Sequence, residues 1–262
     1  MEYRNLELEQ RGAVLRVWLN RPERRNALDD RTLEEIAHLF ESLERNFETR
    51  VAVLAGRGVS FCAGADLRNP PGRALLRQDS GAGERERRYA AQIGRRASRA
   101  LELCEVVTIA RVHGHAIGGG LVLAACCDFR LAAEDAIFSL PEVDLGIPLT
   151  WGATPRLAHE IGAARARELI LMCDRLDGRE AESWGLVHRA VPLQSLDATV
   201  DAWAERLAQK PEVAVHMTKT QLRAYARAAF LGDVTESDGD LLSESSRTGV
   251  ARAAFESSSG GE

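Results

Sequence analysis

Two mainly apolar runs, each followed directly by a glycine-rich segment, constrain the fold of this 262-residue chain more than any other feature. Residues 51–55 are all apolar, and residues 106–112 are apolar except for Thr108 and Arg111. Runs of this kind, without regular alternation of polar and apolar positions, are typical of strands that are buried on both faces of a sheet. Such a sheet needs helices to cover it, so the sequence predicts an α/β fold.

Other patterns extend this α/β core over residues 1–190. Two short apolar runs on either side of residues 11–12 predict a β-hairpin. The spacing of apolar residues predicts a helix over about 84–104. It follows a turn-rich stretch, 69–83, which is typical of a mobile surface loop.

The last third of the chain is predicted to be helical. We expect a helical C-terminal region over 191–256 and a disordered tail at 257–262. A helical layer with few turn signals either packs on another subunit or forms a cap on its own chain, and the sequence favours neither. After position 151 the apolar spacing predicts helices over 162–173, 179–185, 195–209, 211–230 and 234–255.

Composition excludes several classes of function. The net charge of −5 argues against nucleic acid as a partner, because phosphate binding needs a basic face. No run approaches 18 apolar residues and the N-terminus is charged, so we expect a cytoplasmic protein with no membrane partner. The five cysteines form no CxxC pair, so neither a disulfide framework nor a metal site is indicated.

The two glycine-rich segments, 58–67 and 113–120, are the candidates for a ligand site. Glycines let backbone N–H groups approach a ligand closely, and two N–H groups from separate loops can form an oxyanion hole, worth roughly 3 kcal/mol per donor. Glycines after a strand are also common as simple turn residues. Leu123 stands where a dinucleotide motif needs glycine, and no Gly-Lys-Ser/Thr occurs, so nucleotide-binding loops are excluded.

Several motifs, in this order and spacing, resemble the enoyl-CoA hydratase/isomerase (crotonase) superfamily over nearly the whole chain. The resemblance implies repeated β-β-α units, a helical C-terminal trimerisation region, and homotrimers that often pair into hexamers. It also implies an acyl-CoA thioester as substrate and no prosthetic group. The motifs are LNRP (19–22) with NAL (26–28), FCAGADL (61–67), GHAIGGG (114–120), CDFR (127–130), FSLPEVDLG (138–146) and GLV (185–187).

The resemblance assigns the oxyanion hole to the backbone N–H groups of Ala65 and Gly119, which would stabilise an enolate. Within the family pattern, Glu142 matches the second of the two glutamates that hydratases use for proton transfer. The first glutamate would stand at position 122, where this chain has Val122. Valine can neither ionise nor hold a water, and a general acid or base contributes typically ~10²–10⁴-fold.

A single carboxylate favours a different reaction. In Δ3 to Δ2 enoyl-CoA isomerisation one base, here Glu142, can take a proton from C2 and return it at C4, and no water is consumed. The alternatives are a hydratase with an unconventional second acid and a non-catalytic acyl-CoA-binding protein. A structural role for Glu142, in a loop cap or an ion pair, also stays open.

Coenzyme A binding is assigned to residues near the first glycine-rich segment. Arg24, Arg25 and Arg68 are candidates for the CoA phosphates, because guanidinium groups suit phosphate oxygens. The alternative for each is an ordinary solvated side chain. Ala63 and Asp66 complete the predicted CoA-binding set, and Asp66 is expected to position its loop rather than transfer protons. The C-terminal lysine common in the family is not evident after residue 255.

Other polar residues near these motifs receive structural interpretations. Asp144 matches the dienoyl-CoA isomerases, but they carry a carboxylate where this chain has Thr150, so Asp144 is expected to make a structural hydrogen bond. Thr150 and Trp151 are expected to line the acyl pocket. His113 and His115 lack a paired nucleophile or further metal ligands, so packing or local hydrogen bonding is expected for both.

Overall fold

The computed structural model describes residues 1–73, 81–229 and 238–245. The strands in these ranges are β1 (Leu6–Arg11), β2 (Val14–Leu19), β3 (Val51–Gly56), β4 (Val107–Val112), β5 (His115–Ile117), β6 (Phe129–Ala133), β7 (Ile137–Ser139) and β8 (Arg189–Val191). The α-helices are α1 (Asp30–Ser42), α2 (Glu84–Ala91), α3 (Ile93–Leu103), α4 (Gly119–Cys126), α5 (Ala153–Ile161), α6 (Ala163–Leu171), α7 (Gly178–Trp184), α8 (Leu193–Ala208), α9 (Glu212–Ala229) and α10 (Asp238–Ser245). Short 3-10 helices cover Pro22–Arg24 and Leu43–Arg45.

Six strands form the central sheet, in the order β1-β2-β3-β4-β6-β8. The β1–β2 pair is the predicted antiparallel hairpin, and every other neighbouring pair is parallel. Every residue of β3 and β4 is buried, as expected for strands covered on both faces. The predicted α/β class is therefore confirmed.

A second layer of short extended segments brings the two glycine-rich segments together. In this layer β5 pairs in parallel with β7. Isolated parallel bridges join Leu28 to Ala65 and Cys62 to Ala116. Each long strand from β2 to β6 is thus followed by a short extended segment and then by a helix. This repeat sets the residues after β3 beside the residues after β4.

The helices after residue 191 pack at least in part on their own chain. Helix α8 crosses β2, β3, β4 and β6, and its Asp197 forms an ion pair with Arg111 of β4 at 2.9 Å. From α9, the Lys219 ammonium donates to the Asp128 carboxylate at 2.6 Å. Several large apolar side chains of α9 remain exposed, among them Val213 and Tyr225. The division at residue 190 and the trimerisation role of this region stay predictions.

The structure corrects several boundaries. The helix expected over 84–104 is divided at Gln92 into α2 and α3. Strands β5 and β8 and helix α5 were not predicted; the two strands have only three residues each, too few to show a period. Of the helix expected at 234–255, α10 is described. The tail 257–262 and positions 74–80 of the predicted loop lie outside the described residues. No helix of the described ranges is long and apolar enough to cross a bilayer.

Candidate active site

A cavity of about 210 Å³ lies between the two glycine-rich segments and the turn that follows β7. Its walls are mostly apolar, as is usual for small-molecule sites. The α2–α3 junction closes another side. The lining residues are Ala63, Gly64, Ala65, Leu67, Pro70, Pro71, Ala91, Ile93, Ile117, Gly118, Gly119, Val122, Pro141, Glu142, Leu145, Ile147, Leu149, Thr150 and Trp151.

Two backbone donors without acceptors belong to this lining. Leu28 bonds to the groups flanking Ala65, namely the carbonyl of Gly64 and the N–H of Asp66, both at 2.8 Å. In a parallel bridge this leaves the N–H of Ala65 on the side away from Leu28. Gly119 is the first residue of α4, where N–H groups have no intrahelical acceptor. Among the described residues neither N–H has an acceptor, so the geometry suits the predicted oxyanion hole.

Gly118 sets the approach to α4 and to Glu142. Its backbone angles, φ 50° and ψ −123°, belong to a region that residues with a Cβ rarely adopt. Its N–H donates to the carbonyl of Ser139 at 2.9 Å, which ties the second glycine-rich segment to β7. A Cβ at this position would lie 2.7 Å from Oε1 of Glu142. Glycine is therefore required here both by the backbone angles and by the carboxyl group.

The Glu142 carboxyl group is held in an apolar environment. Its Oε2 atom is buried and has no hydrogen-bond partner among the described residues. Burial raises the pKa of Glu142 from the ordinary 4.5 to about 7, and a hydrogen bond from its own backbone N–H opposes part of that rise. A carboxyl group with such a pKa can both accept and return a proton near neutral pH.

The raised pKa has a measurable effect on stability. Because the folded state holds the Glu142 proton more tightly, the free energy of unfolding should fall as pH rises from 4.5 to about 7. In Glu142→Gln this fall is absent. The free energy of unfolding of the variant should therefore rise by roughly 3 kcal/mol relative to that of the wild type over the same pH interval. Urea unfolding of both proteins at about pH 5 and about pH 8 measures it. An equal difference between the two proteins at both pH values would contradict the burial of the charge.

Val122 and Thr150 contribute side chains without a carboxyl group to the cavity. Both are buried and both line the cavity. Glu142 is the one carboxyl group among the described lining residues. The cavity can therefore transfer a proton through one side chain, and the Thr150 hydroxyl adds a hydrogen-bonding group that does not ionise near neutral pH.

Trp151 also lines the cavity and adopts a left-handed backbone conformation, with φ 61°. This conformation is rare for a bulky residue and costs on the order of 1–3 kcal/mol. The sequence placed Trp151 in the pocket by its position. Its backbone conformation could not be predicted, because nothing local to the sequence favours it.

The predicted CoA-binding residues lie on two adjoining loops. The N–H of Ala63 donates to the carbonyl of Arg25 at 3.0 Å, which joins the loop after β2 to the first glycine-rich segment. Arg24, Arg25 and Arg68 are exposed, and Ala63 lines the cavity. Their contacts with CoA stay predictions.

Asp66 organises its loop from a buried position. Its carboxylate forms an ion pair with Arg21 at 2.9 Å and accepts from the N–H of Arg68 at 3.1 Å. Arg21 and Asn26 stand in the quoted motifs, but their structural roles were not predicted. The side-chain amide of Asn26 donates to the carbonyls of Arg57 and Ser60, both at 2.8 Å. Asn26 has φ 58°, a conformation that asparagine tolerates, but the sequence pattern gives no sign of the long-range bonds.

The histidines and Asp144 lie outside the cavity lining. A ring nitrogen of His113 bonds to the carbonyl of Gly58 at 2.8 Å, and burial lowers its pKa. The ring of His115 bonds to the Ser60 hydroxyl at 3.0 Å. Asp144 is exposed, and its side chain makes no hydrogen bond to the described residues, unlike the structural bond expected of it. The described ranges contain no group of three or more potential metal-ligating side chains.

Comparisons with known proteins find a family profile and relatives that match most of this chain. The family profile described as enoyl-CoA hydratase/isomerase matches residues 9–254. The short-chain-enoyl-CoA hydratase of Clostridium acetobutylicum is 36% identical over 220 residues, which cover 84% of this chain and 81% of the relative. The peroxisomal Delta(3,5)-Delta(2,4)-dienoyl-CoA isomerase of Arabidopsis thaliana is 36% identical over 230 residues, 84% of this chain and 82% of the relative.

A solved structure shows the same architecture. The enoyl-CoA hydratase/isomerase from Mycobacterium paratuberculosis superposes with a TM-score of 0.85 at 25% identity. The superposition covers 97% of this chain and 98% of that protein. The crotonase-like architecture expected from the sequence motifs is confirmed by this match.

Proposed function

Since this chain belongs to the enoyl-CoA hydratase/isomerase family, we propose that it shifts the double bond of an enoyl-CoA thioester from Δ3 to Δ2. Glu142 acts as the single acid/base, and the N–H groups of Ala65 and Gly119 bind the thioester oxygen. The substrate is carried as a coenzyme A thioester, and the reaction needs no prosthetic group.

One observation carries the choice of isomerisation. Glu142 is the single carboxyl group among the described residues that line the cavity, and the buried Val122 lies in the same lining. Hydration requires a positioned water and two proton transfers, whereas isomerisation requires one base and no water. An apolar wall at position 122 disfavours a bound water beside the reacting carbons.

The steps of the reaction follow from this arrangement. The Glu142 carboxylate removes a proton from C2, and the electron pair of that C–H bond moves towards the thioester oxygen. The resulting enolate is stabilised by the two backbone N–H donors, where each such donor contributes roughly 3 kcal/mol. Glu142 then returns the proton to C4, where the electron pair of the former C3=C4 double bond forms the new C–H bond. The enolate oxygen regains its double bond to C1, and the electron pair between C1 and C2 becomes the new double bond between C2 and C3. Atoms and charge balance without a further reactant.

Two other functions are compatible with the family. The Clostridium relative is named a hydratase, and the Thr150 hydroxyl lines the cavity and can hold a hydrogen-bonded water. This hydroxyl cannot serve as the second acid near neutral pH, which favours isomerisation. A non-catalytic acyl-CoA-binding protein would need no carboxyl group of raised pKa in its cavity, and Glu142 has one.

The absorbance of the conjugated thioester separates these functions. We expect a 3-enoyl-CoA to gain conjugation rapidly. Hydration of a 2-enoyl-CoA should be at least about 10²-fold slower than this isomerisation, because one acid/base group needed for hydration is missing. Rapid loss of absorbance from the 2-enoyl-CoA would show a hydratase with another second acid. Silence in both assays, with a saturated acyl-CoA still raising the melting temperature, would favour the binding protein.

A further inference from the structure

Trp151 is held in a conformation that its own backbone disfavours. A φ of 61° is readily adopted by glycine, whereas a bulky aromatic residue there is an outlier. Such residues persist only where the surrounding structure fixes them, and they concentrate at functional sites. The contacts of Trp151 therefore show which groups hold this conformation and where the ring lies relative to the cavity.

Both sides of this residue are fixed by hydrogen bonds. The Ser98 hydroxyl, from α3, donates to the carbonyl of Trp151 at 2.8 Å. The N–H of the next residue, Gly152, donates to the Asp238 carboxylate of α10 at 2.7 Å. The backbone is thus tied to two helices that are far apart in the sequence.

The indole ring of Trp151 packs against two glycines, whose lack of a side chain leaves space for it. A Cβ at Gly94 of α3 would overlap the indole, and so would a Cβ at Gly119 of α4. The ring therefore packs against the backbones of both helices. Gly119 is also the proposed donor to the thioester oxygen, so the ring lies directly beside the place where the acyl group begins.

The space left for the acyl group is small. The cavity has a volume of about 210 Å³. Pockets for drug-sized ligands span about 300–1,000 Å³. Ile93, Leu149 and Trp151 belong to the walls of the cavity, and none of them is an exposed side chain.

We infer that Trp151 closes the acyl end of the cavity and restricts the substrate to short acyl groups. The inference rests on the proposed acyl-CoA function of this site. Trp151 is a specificity residue in this account: it takes no part in proton transfer, and its ring occupies the volume that the distal carbons of a longer chain would need.

Binding of saturated acyl-CoA thioesters tests the inference without relying on turnover. The dissociation constants of butyryl-, hexanoyl-, octanoyl- and decanoyl-CoA are measured by calorimetry for the wild type, Trp151→Gly, Trp151→Phe and Trp184→Phe. Glycine adopts the left-handed conformation without strain, so Trp151→Gly should fold. Trp184, on α7, lies outside the cavity lining and is the matched control.

We expect the wild type to bind butyryl-CoA more tightly than octanoyl-CoA. In Trp151→Gly the affinity for octanoyl-CoA relative to butyryl-CoA should rise about tenfold or more, the effect of accommodating one or more methylenes. Trp151→Phe should change this ratio in the same direction by less, and Trp184→Phe should keep the wild-type ratio.

The outcomes separate the inference from the proposed function. If folded Trp151→Gly keeps the wild-type ratio, or if the wild type itself prefers the longer chains, Trp151 does not set the limit. If Trp151→Gly does not fold, the ratio in Trp151→Phe decides in the same way. A wild type that binds none of the four thioesters contradicts the proposed acyl-CoA function, and the inference fails with it.

Discussion

Replacing Glu142 by Gln is expected to lower the turnover of a 3-enoyl-CoA by about 10²–10⁴-fold, the usual contribution of a general acid/base. Glutamine has nearly the size of glutamate but cannot accept the C2 proton. Binding of a saturated acyl-CoA should persist, because the variant leaves both oxyanion donors in place and removes a buried charge. The measurement is the initial rate of conjugation at saturating substrate, together with the dissociation constant of butyryl-CoA.

Asp144→Asn provides the matched control for this substitution. Asp144 follows Glu142 by two positions, is exposed and lies outside the cavity lining, so its variant should keep the wild-type rate. Unchanged turnover in Glu142→Gln would remove the single-base mechanism. Loss of both turnover and binding would assign Glu142 a structural role instead.

Gly118→Ala is expected to lower turnover by about 10²-fold or more. The alanine cannot easily keep φ 50° and ψ −123°, and its Cβ would lie 2.7 Å from Oε1 of Glu142. The substitution therefore displaces the start of α4, which carries the Gly119 donor, and also the carboxyl group. Loss of one oxyanion donor alone costs roughly 10²–10³-fold in turnover. The rate constant of the folded variant, confirmed by circular dichroism, is the measurement.

Gly162→Ala separates strain from catalysis. Gly162 also has a positive φ, 81°, but a Cβ there would meet no atom within 4 Å, and the residue lies outside the cavity lining. This control should lose stability and keep its turnover. If Gly118→Ala behaves in the same way, the position of Gly118 is not needed for the proposed chemistry.

Burial of Glu142 connects its chemistry with stability. The apolar walls that raise its pKa to about 7 make it a suitable acid/base, and they also make its ionised form unfavourable in the folded protein. Glu142→Gln should therefore be less active and, above neutral pH, more stable. Opposite changes in activity and stability are common where an active site needs a buried ionisable group without a hydrogen-bond or ionic partner.

The central strands were predictable because runs of mainly apolar residues without regular alternation indicate burial on both faces of a sheet. Runs 51–55 and 106–112 correspond to β3 and β4, which lie in the middle of the sheet. The three-residue strands β5 and β8 were not predictable. Their hydrogen bonds are made to strands brought beside them by the fold, so local propensity carries little of their stability.

The candidate site was predictable only in part. The motifs pointed to Glu142, Ala65 and Gly119, and the structure brings all three to one cavity. Their catalytic roles stay proposals. The side-chain hydrogen bonds of Asn26 and the packing of Trp151 were not predictable, because both depend on residues more than 30 positions away.

The sequence by itself determined the α/β class, the family and the identity of the residues able to do chemistry, since these follow from apolar patterning and from motifs that are local in the chain. The tertiary structure decided what those residues can do. It buried the Oε2 atom of Glu142 without a hydrogen-bond partner, left two N–H groups without acceptors at one cavity, and placed Trp151 against Gly119. A pKa, an unpaired donor and the size of a cavity all depend on which distant atoms surround a group, and only the folded chain fixes those surroundings.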